Sequence, residues 1–534
     1  MKLLDLPYSS RRMPTVARNG MVATSQPLAA LAGLAMLEAG GTAVDAAIAA
    51  AAMLPVVEPT SNGIGGDAFA LVWDGARMHG LNGSGRAPAA LNLELVRGIG
   101  HATMPTHGWL PVTVPGVPRA WHDLHARFGR LDFERILSPA ISAAEDGYAV
   151  TPIVAQYWAY AARNFAALTD PALAEWRNTF AHNGHAPAAG DVWRSRRMAR
   201  TLRRIAQSNS ADFYTGELAE RMVQFAQRTG GYLTAADLER HTSTWVDPIS
   251  TNYRGYDVWE IPPNGQGLTA LLALNILEGF DLSKSDRESV QAYHLQIEAM
   301  KLAFADAQRY IADPEHVHVP TAALLSKEYA ARRRALIGET AQLREPGQLP
   351  AGGTVYLCVA DGDGMMVSYI QSNYMGFGSG VVVPETGIAL QNRGAGFALD
   401  PAHPNVLAPG KRPYHTIIPS FLTRDGAAIG PFGVMGGYMQ PQGHAQMVLN
   451  TLDWKLNPQA SLDAPRWQFT DGLNVMLEYG VSRHIIEGLQ ALGHRVSVQA
   501  EGGAFGRGQI IWRMPSGSLV GGSDMRADGL AIGF

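Results

Sequence analysis

The sequence predicts a mixed α and β fold, because segments with helical periodicity alternate with short apolar segments that are bounded by turn residues. The chain has 534 residues, of which 46% are hydrophobic and 17% charged, so it can bury a sizeable core. It contains no internal repeat, and its one strong linker lies immediately before Thr354. These observations favour a large globular protein over a repeat array.

The predicted helices follow from apolar spacing and from residues that start or stop a helix. Ser25 can cap a first helix over residues 28–37, which ends at a pair of glycines. A second helix is predicted over residues 45–54, where Pro55 ends it. Ile297, Met300, Phe304 and Ile311 mark one face of a long predicted helix. Another helix is predicted over residues 482–492, with Gly493 as its stop.

The predicted strands are short, and two of them form a hairpin that begins at Thr354. Apolar and polar residues alternate over residues 354–360, the turn residues Asp361–Gly364 follow, and residues 365–370 are apolar enough to pair back. Residues 339–353 have no apolar periodicity and read as an exposed, pliable loop. Other strands are predicted at residues 68–73 and 508–513.

This position gives Thr354 a specific chemistry. If the Gly353–Thr354 bond were broken, Thr354 would carry a hydroxyl nucleophile and a free α-amine, whose reference pKa of roughly 7.7–8.0 suits a general base near neutral pH. The pattern therefore suggests a chain that cuts itself. Threonine is also a common strand residue, so the pattern alone leaves open the alternative that Thr354 is an ordinary strand residue after a loop.

Charge and hydropathy narrow the range of partners. A net charge of -4 gives no reason to expect nucleic acid or an anionic membrane as a partner. An acid and a proline interrupt residues 1–7, where a signal peptide would need an apolar run, and residues 46–57 are too short to span a bilayer. We therefore expect a cytoplasmic protein.

Other familiar kinds of site are disfavoured. No Gly-x-Ser-x-Gly pentapeptide is present, and no Gly-Lys-Ser/Thr follows the glycines of residues 63–66. His316 and His318 lack further ligands at recognisable spacing, so we predict neither a metal nor a cofactor. The single cysteine, Cys358, cannot form an internal disulfide and reads as a buried strand residue.

Five motifs in order resemble the γ-glutamyltranspeptidase family: residues 40–50, residues 57–67, the Thr354 hairpin, residues 411–413 and the pair at 436–437. The resemblance spans nearly the whole chain. It implies an α+β fold, the four-layer αββα sandwich of N-terminal nucleophile hydrolases. It also implies cleavage between Gly353 and Thr354 into a large fragment, residues 1–353, and a small fragment, residues 354–534. The two would share one core as a heterodimer, which could dimerise further.

The resemblance also assigns catalytic roles. Thr354 is the implied nucleophile, and Ser372 stands where the family has a threonine that supports it. Gly436 and Gly437 match the pair whose backbone N–H groups hold the oxyanion, and glycine suits a position of close backbone approach.

Positions that bind a γ-glutamyl group in the family have changed. Ser84 occupies the position of an arginine, with Arg86 two residues later, and Gly396 replaces the aspartate that binds the α-amine. His415 and Thr416 replace two serines. Tyr374 replaces an asparagine near the nucleophile. Lost hydrogen-bond partners discriminate strongly, so we expect poor γ-glutamyl turnover.

The changed pocket predicts a small acidic amide without an α-amino group as substrate. This profile resembles that of the oxamate amidohydrolases of the superfamily, which implies hydrolysis of oxamate to oxalate and ammonia in purine breakdown. Arg393 is the first choice for the substrate carboxylate, since guanidinium binds carboxylate at two points. The other predicted substrate-binding residues are Arg86, Tyr374, Asn392, His415 and Thr416.

Three alternatives stay open at this stage. The first is a γ-glutamyl hydrolase or transpeptidase acting on glutathione-like substrates, which the lost glutamyl-binding residues disfavour. The second is an acylase acting on β-lactam side chains, which nothing in the sequence excludes. The third is an uncleaved homologue that binds small acids without catalysis.

Overall fold

Two stacked β-sheets form the centre of the protein in a computed structural model that describes Tyr8 and residues 12–344, 353–500 and 502–534. The strands are β1 (Thr15–Ala17), β2 (Gly20–Thr24), β3 (Asp67–Trp73), β4 (Met78–Asn82), β5 (Tyr148–Ala149), β6 (Val192–Trp193), β7 (Thr244–Val246), β8 (Ile249–Tyr253), β9 (Tyr256–Glu260), β10 (Gly353–Asp361), β11 (Met366–Tyr374), β12 (Val382–Val383), β13 (Ile388–Ala389), β14 (Ser420–Arg424), β15 (Ala427–Met435), β16 (Trp467–Asp471), β17 (Asn474–Glu478), β18 (Arg495–Gln499), β19 (Arg507–Arg513), β20 (Leu519–Ser523) and β21 (Leu530–Gly533).

Helices cover the outer faces of the sheets. They are α1 (Pro27–Glu38), α2 (Ala43–Val57), α3 (Leu93–Gly98), α4 (Val117–Phe128), α5 (Phe133–Asp146), α6 (Pro152–Ala166), α7 (Ala174–Phe180), α8 (Arg196–Gln207), α9 (Ala211–Thr215), α10 (Glu217–Thr229), α11 (Ala235–Glu239), α12 (Gly267–Leu277), α13 (Val290–Tyr310), α14 (Thr321–Leu324), α15 (Lys327–Arg334), α16 (Met439–Leu452), α17 (Pro458–Asp463) and α18 (Arg483–Ala491). A short 3-10 helix spans Arg393–Gly396.

Strands from both sides of Thr354 interleave in each large sheet. One sheet has the order β21-β2-β10-β11-β3-β4-β7, and the other has the order β1-β20-β19-β15-β14-β9-β8. Every neighbouring pair in the two sheets is antiparallel. The strand that begins at the predicted nucleophile, β10, therefore lies in the interior of a sheet, between β2 and β11.

The side-chain alternation of β10 shows how the four layers form. Tyr356 and Cys358 point into the core between the two sheets, together with Phe69, Met435 and Ile511. The alternate residues Val355, Leu357 and Val359 point the other way and pack against α1, α2, α4 and α5. Helices α12, α13 and α16 cover the far face of the second sheet. The predicted αββα sandwich is confirmed.

Most predicted elements are confirmed, but two helix boundaries were wrong. Gln26, not Ser25, caps α1 by accepting a hydrogen bond from the Leu28 amide, because the Ser25 hydroxyl donates to buried Glu58 at 2.6 Å. Helix α2 also continues through Pro55 to Val57. A proline in the last turn removes one hydrogen bond without preventing the turn.

Two predicted segments fall partly or wholly outside the described residues. Residues 339–344 are irregular and mostly exposed or half-buried, as expected for the loop before Thr354, whereas residues 345–352 are outside the described ranges. Residues 1–7, the basis of the cytoplasmic prediction, are also outside them. Within the described part of the chain, no helix has both the length and the apolarity that a membrane crossing requires.

Candidate active site

The hydroxyl groups of Thr354 and Ser372 lie side by side where β10 meets β11. Gly353 pairs with Tyr374 and Val355 pairs with Gln371. Thr354 therefore lies opposite two residues of β11, Ser372 and Asn373, and the strand pair contains a β-bulge. This bulge turns Ser372 toward the nucleophile. The Thr354 hydroxyl donates to Ser372 Oγ at 3.1 Å, and the Ser372 hydroxyl donates to the Gly353 carbonyl oxygen at 2.7 Å. One hydroxyl thus links the predicted nucleophile to the carbonyl of the bond that would break.

Arg393 is a fully buried guanidinium beside these hydroxyls. It donates to Thr416 Oγ1 at 2.7 Å and to Ser372 Oγ at 3.3 Å, and it stacks on the Tyr374 ring at 4.2 Å. Among the described residues, no carboxylate lies within 4.0 Å of it, and its Nε has no hydrogen-bond partner. Burial lowers the pKa of Arg393 to about 10, so it keeps its charge at neutral pH. A buried cation without an adjacent anion suits an anionic ligand.

His415 is held by a buried aspartate that the sequence analysis did not single out. Its Nε2 lies 2.9 Å from Asp67 Oδ2, and the Ile417 amide donates to its Nδ1 at 3.3 Å. Because Nδ1 accepts, Nε2 carries the hydrogen and donates to Asp67. Burial lowers the pKa of His415 well below its usual range, which keeps the ring neutral. Both nitrogens therefore have partners within the protein.

The buried carboxylate of Asp67 also accepts hydrogen bonds from two other residues. Its Oδ1 accepts from the Gly85 amide at 2.9 Å and from Gln391 Nε2 at 2.8 Å. Burial raises the pKa of Asp67 to about 7, against the lowering effect of those hydrogen bonds. The carboxylate thus ties the start of β3 to the segments that carry Ser84 and Arg393.

The predicted oxyanion pair lies between β15 and α16. Gly436 has φ +130° and Gly437 has φ +60°, conformations that favour glycine. The Gln266 side chain donates to the Gly437 carbonyl at 2.9 Å and to the Thr416 carbonyl at 2.6 Å. Gln266 therefore fixes the glycine pair relative to the residue that binds Arg393.

Two predicted substrate-binding residues are engaged elsewhere. Asn392 is buried, donates to the Thr106 carbonyl at 2.9 Å and accepts from the Met375 amide at 3.1 Å. Arg86 is partly exposed and binds Glu315 at 2.7 Å and the Gly410 carbonyl at 3.1 Å. Within the described residues it makes no hydrogen bond with Thr354 or Arg393. Thr416 and Tyr374, in contrast, contact Arg393 directly.

The glycines of residues 63–66 bring the backbone into close contact with β11 and β13. A Cβ atom on Gly66 would lie 2.4 Å from the Ser372 carbonyl oxygen, and one on Gly65 would lie 2.3 Å from the Ala389 carbonyl oxygen. Only glycine permits this approach. The glycine motif therefore supports the strand that carries Ser372.

Asp67 and Gln266 are the site residues that sequence reasoning missed. Asp67 ends the glycine motif, and its acid at the start of an apolar strand was a usable signal. Gln266 lies between two glycines just before α12, a pattern that indicates only a loop.

Known proteins share this architecture over its full length. A family model described as gamma-glutamyltranspeptidase matches residues 29–534. This chain belongs to the γ-glutamyltranspeptidase family. The crystal structure of a cephalosporin acylase from Bacillus halodurans superposes with a TM-score of 0.95 at 56% identity, covering 100% of this chain and 99% of that one. The fold is therefore that of the N-terminal nucleophile hydrolases of the family.

Curated members of the family differ in the substrates that their names state. The glutathione hydrolase-like YwrD proenzyme of Bacillus subtilis is 36% identical over 527 residues, 96% of this chain and 98% of its own length. The oxamate amidohydrolase proenzyme of Klebsiella pneumoniae is also 36% identical, over 537 residues, 97% of this chain and 99% of its own. Because the chain is equally identical to both relatives, sequence identity does not decide between their substrates. The substrate must be inferred from the residues of the site.

Proposed function

We propose that the chain cleaves itself between Gly353 and Thr354. Thr354 Oγ1 attacks the Gly353 carbonyl carbon, the C–N bond breaks, and the acyl group passes from nitrogen to oxygen as an ester. Water then hydrolyses the ester, leaving a carboxylate on Gly353 and an amine on Thr354. The hydrogen bond from Ser372 to the Gly353 carbonyl oxygen supports this step, because it stabilises the negative charge that develops there. Residues 1–353 and 354–534 would remain together as a heterodimer.

The new amine makes Thr354 a self-contained amide hydrolase. The amine removes the hydroxyl proton, Oγ1 attacks the substrate carbonyl, and the proton passes to the departing nitrogen. Water hydrolyses the resulting acyl ester and regenerates the hydroxyl. The backbone N–H groups of Gly436 and Gly437 would bind the oxyanion in both halves of the reaction.

We infer that the acyl group is a short acid without an α-amino group, and oxamate is the specific substrate proposed. The observation that carries this inference is the position of Arg393. Its guanidinium and the Thr354 hydroxyl both bond to Ser372 Oγ, at 3.3 and 3.1 Å. A short acyl group would therefore reach from a carboxylate on Arg393 to a carbonyl at Thr354. In oxamate these two carbons are directly bonded.

A β-lactam side-chain acylase is the second candidate, and the 56% identity to a cephalosporin acylase favours it. An acidic side-chain amide would place its carboxylate on the same Arg393. A γ-glutamyl substrate is less well supported, because Gly396 offers no carboxylate to its ammonium group. An uncleaved protein that binds small acids would also use Arg393, but it would remain one chain on a denaturing gel. Action in the cytoplasm stays a prediction.

The deciding experiment measures ammonia release from oxamate by the purified protein. Hydrolysis of γ-glutamyl-p-nitroanilide and of a cephalosporin with an acidic side-chain amide is measured in parallel, and intact mass reports cleavage before Thr354. We expect a cleaved protein that turns over oxamate. A cleaved protein active only on the cephalosporin would keep the mechanism and replace the substrate.

Arg393→Ala provides the matched test of carboxylate binding. Loss of a buried charged partner costs about 2–5 kcal/mol, a decrease of roughly 30-fold or more in kcat/KM. The Gly353–Thr354 bond should still break. The control is Arg483→Ala, whose guanidinium is exposed and pairs with Glu487. Equal kinetics for the two variants would remove Arg393 from the substrate site.

A further inference from the structure

A buried cluster of two histidines and a glutamate lies in the outer helical layer. His294 and Glu298 are four residues apart on α13, so they share one face of the helix, and His494 follows α18. One ligand atom of each residue lies within 4.8 Å of the others, and all three side chains are buried. None of them hydrogen-bonds to Thr354, Ser372 or Arg393 within the described residues.

The hydrogen bonds of the cluster place one nitrogen of each imidazole ring next to the other. His294 Nε2 donates to the Gly338 carbonyl at 2.9 Å, so His294 Nδ1 carries a lone pair. That Nδ1 accepts a hydrogen bond from His494 Nε2 at 2.9 Å. Glu298 Oε2 is buried and has no hydrogen-bond partner among the described residues. A buried carboxylate oxygen without a partner is costly, so Glu298 Oε2 is suited to bind a cation.

The remaining partners are those that surround metal ligands. Metal-binding imidazoles donate their second N–H to a carbonyl or carboxylate, as His294 does to Gly338. Ligating carboxylates are hydrogen-bonded through the other oxygen, and Lys301 Nζ binds Glu298 Oε1 at 2.7 Å.

We propose that His294 Nδ1, His494 Nε2 and Glu298 Oε2 bind a divalent transition metal, with Zn²⁺ as the best match. Two imidazoles and one carboxylate are a common zinc ligand set, with water in the fourth position. Metal–nitrogen bonds of about 2.0–2.1 Å place tetrahedral nitrogens roughly 3.3 Å apart, so the rings need to separate only slightly. Metal binding would move the proton of His494 from Nε2 to Nδ1, which is buried and has no hydrogen-bond partner among the described residues.

The position of the site suggests its role. Two ligands precede Thr354 in sequence and the third follows it, while Gly338 belongs to the segment that leads to residues 345–352. A bound ion would therefore join the two sides of the proposed cleavage point. The role is structural and does not depend on which amide the enzyme hydrolyses.

Zinc binding is tested on the full-length protein after treatment with EDTA and equilibrium dialysis against Zn²⁺. We expect one zinc ion per chain in the native protein and in His484→Gln, an exposed histidine on α18, and none in His494→Gln. Zinc should also raise the Tm of the first two proteins only. Equal zinc content in native protein and His494→Gln would overturn the proposal, as would native protein that retains none.

Cobalt spectroscopy keeps the test decisive if His494→Gln does not fold. Co²⁺ bound to the native protein should give the intense visible bands of a tetrahedral site, and Zn²⁺ should abolish them. A spectrum that matches aqueous Co²⁺ would mean that the cluster is a hydrogen-bonded network without metal.

Discussion

The Ser372 hydroxyl takes part in four hydrogen bonds, and we therefore expect it to be important for cleavage before Thr354. It accepts from Thr354, from the Tyr374 amide at 2.8 Å and from Arg393, and it donates to the Gly353 carbonyl. Ser372→Ala removes the donor to the carbonyl that is attacked. Loss of one such donor slows a reaction by about a hundredfold or more. We expect the intact chain to accumulate on a denaturing gel. Ser372→Thr, which keeps the hydroxyl, should cleave normally, and equal rates for both variants would contradict this role.

Asp67 gives stability a specific pH dependence. Burial raises the pKa of Asp67 to about 7 in the folded chain, from an ordinary value of 3.8. Between those values the folded state binds the additional proton, so the free energy of unfolding falls as pH rises from about 4 to about 7. Asp67→Asn should remove this loss and flatten the slope by up to about 1.4 kcal/mol per pH unit.

Urea denaturation midpoints at several pH values check the prediction for Asp67. Glu58, another buried acid whose pKa burial raises to about 7, is present in both proteins and cancels in the difference. Exposed Asp425 has a positive φ that asparagine tolerates, so Asp425→Asn is the control. Parallel pH profiles for native protein and Asp67→Asn would show that Asp67 is ionised throughout the range.

The residues that sequence analysis missed depend on distant partners. Thr354 could be predicted as the nucleophile because its signal is local: a polar loop, a strand and a turn. Asp67 forms a hydrogen bond with His415, which lies 348 positions later in the sequence. A local sequence pattern cannot predict a contact between residues so far apart. Arg86 was predicted in the pocket from sequence proximity to a family motif, yet Glu315, a residue on a different segment, holds its guanidinium.

At the scale of elements, the glycine loop of residues 63–66 sets the position of β11. A methyl group on Gly66 would meet the Ser372 carbonyl oxygen and Asn373 Oδ1, which lies 2.5 Å from the Cβ position. Backbone cannot move aside as a side-chain end can, so Gly66→Ala should destabilise the fold by about 1–3 kcal/mol and slow cleavage.

The matched control for the loop is Gly98→Ala, at the end of α3. A Cβ atom there meets nothing within 4 Å, and alanine is a better helix former. Urea midpoints and the intact fraction on a gel report both effects. If Gly66→Ala matched Gly98→Ala in stability and cleavage, the close approach would have no structural role.

Periodicity predicted the elements better than their ends. β10 was correctly predicted because its alternate side chains pack into two different hydrophobic cores, one on each face of the strand. The start of α1 was wrong because Ser25 and Gln26 are both able to cap, and the choice depends on Glu58 drawing the Ser25 hydroxyl away. Local sequence cannot decide such competition, since Glu58 belongs to another part of the chain.

At the scale of the whole molecule, the interleaved strand order determines what cleavage would do. Residues after Thr354 supply β10 and β11, which lie between β2 and β3 from the earlier part of the chain. Separation of the two fragments would break five strand pairs, which are β2–β10, β3–β11, β2–β21, β1–β20 and β9–β14. It would also expose the apolar faces that β10 buries on both sides. We therefore expect the cleaved protein to run as two bands on a denaturing gel but as one particle, of at least 57.3 kDa, by native mass spectrometry. Urea should separate the fragments only in the transition that unfolds the sheets, because the contacts that join them are those of the core itself. Fragments that separate before that transition would show that the interleaved strands do not hold the two parts together.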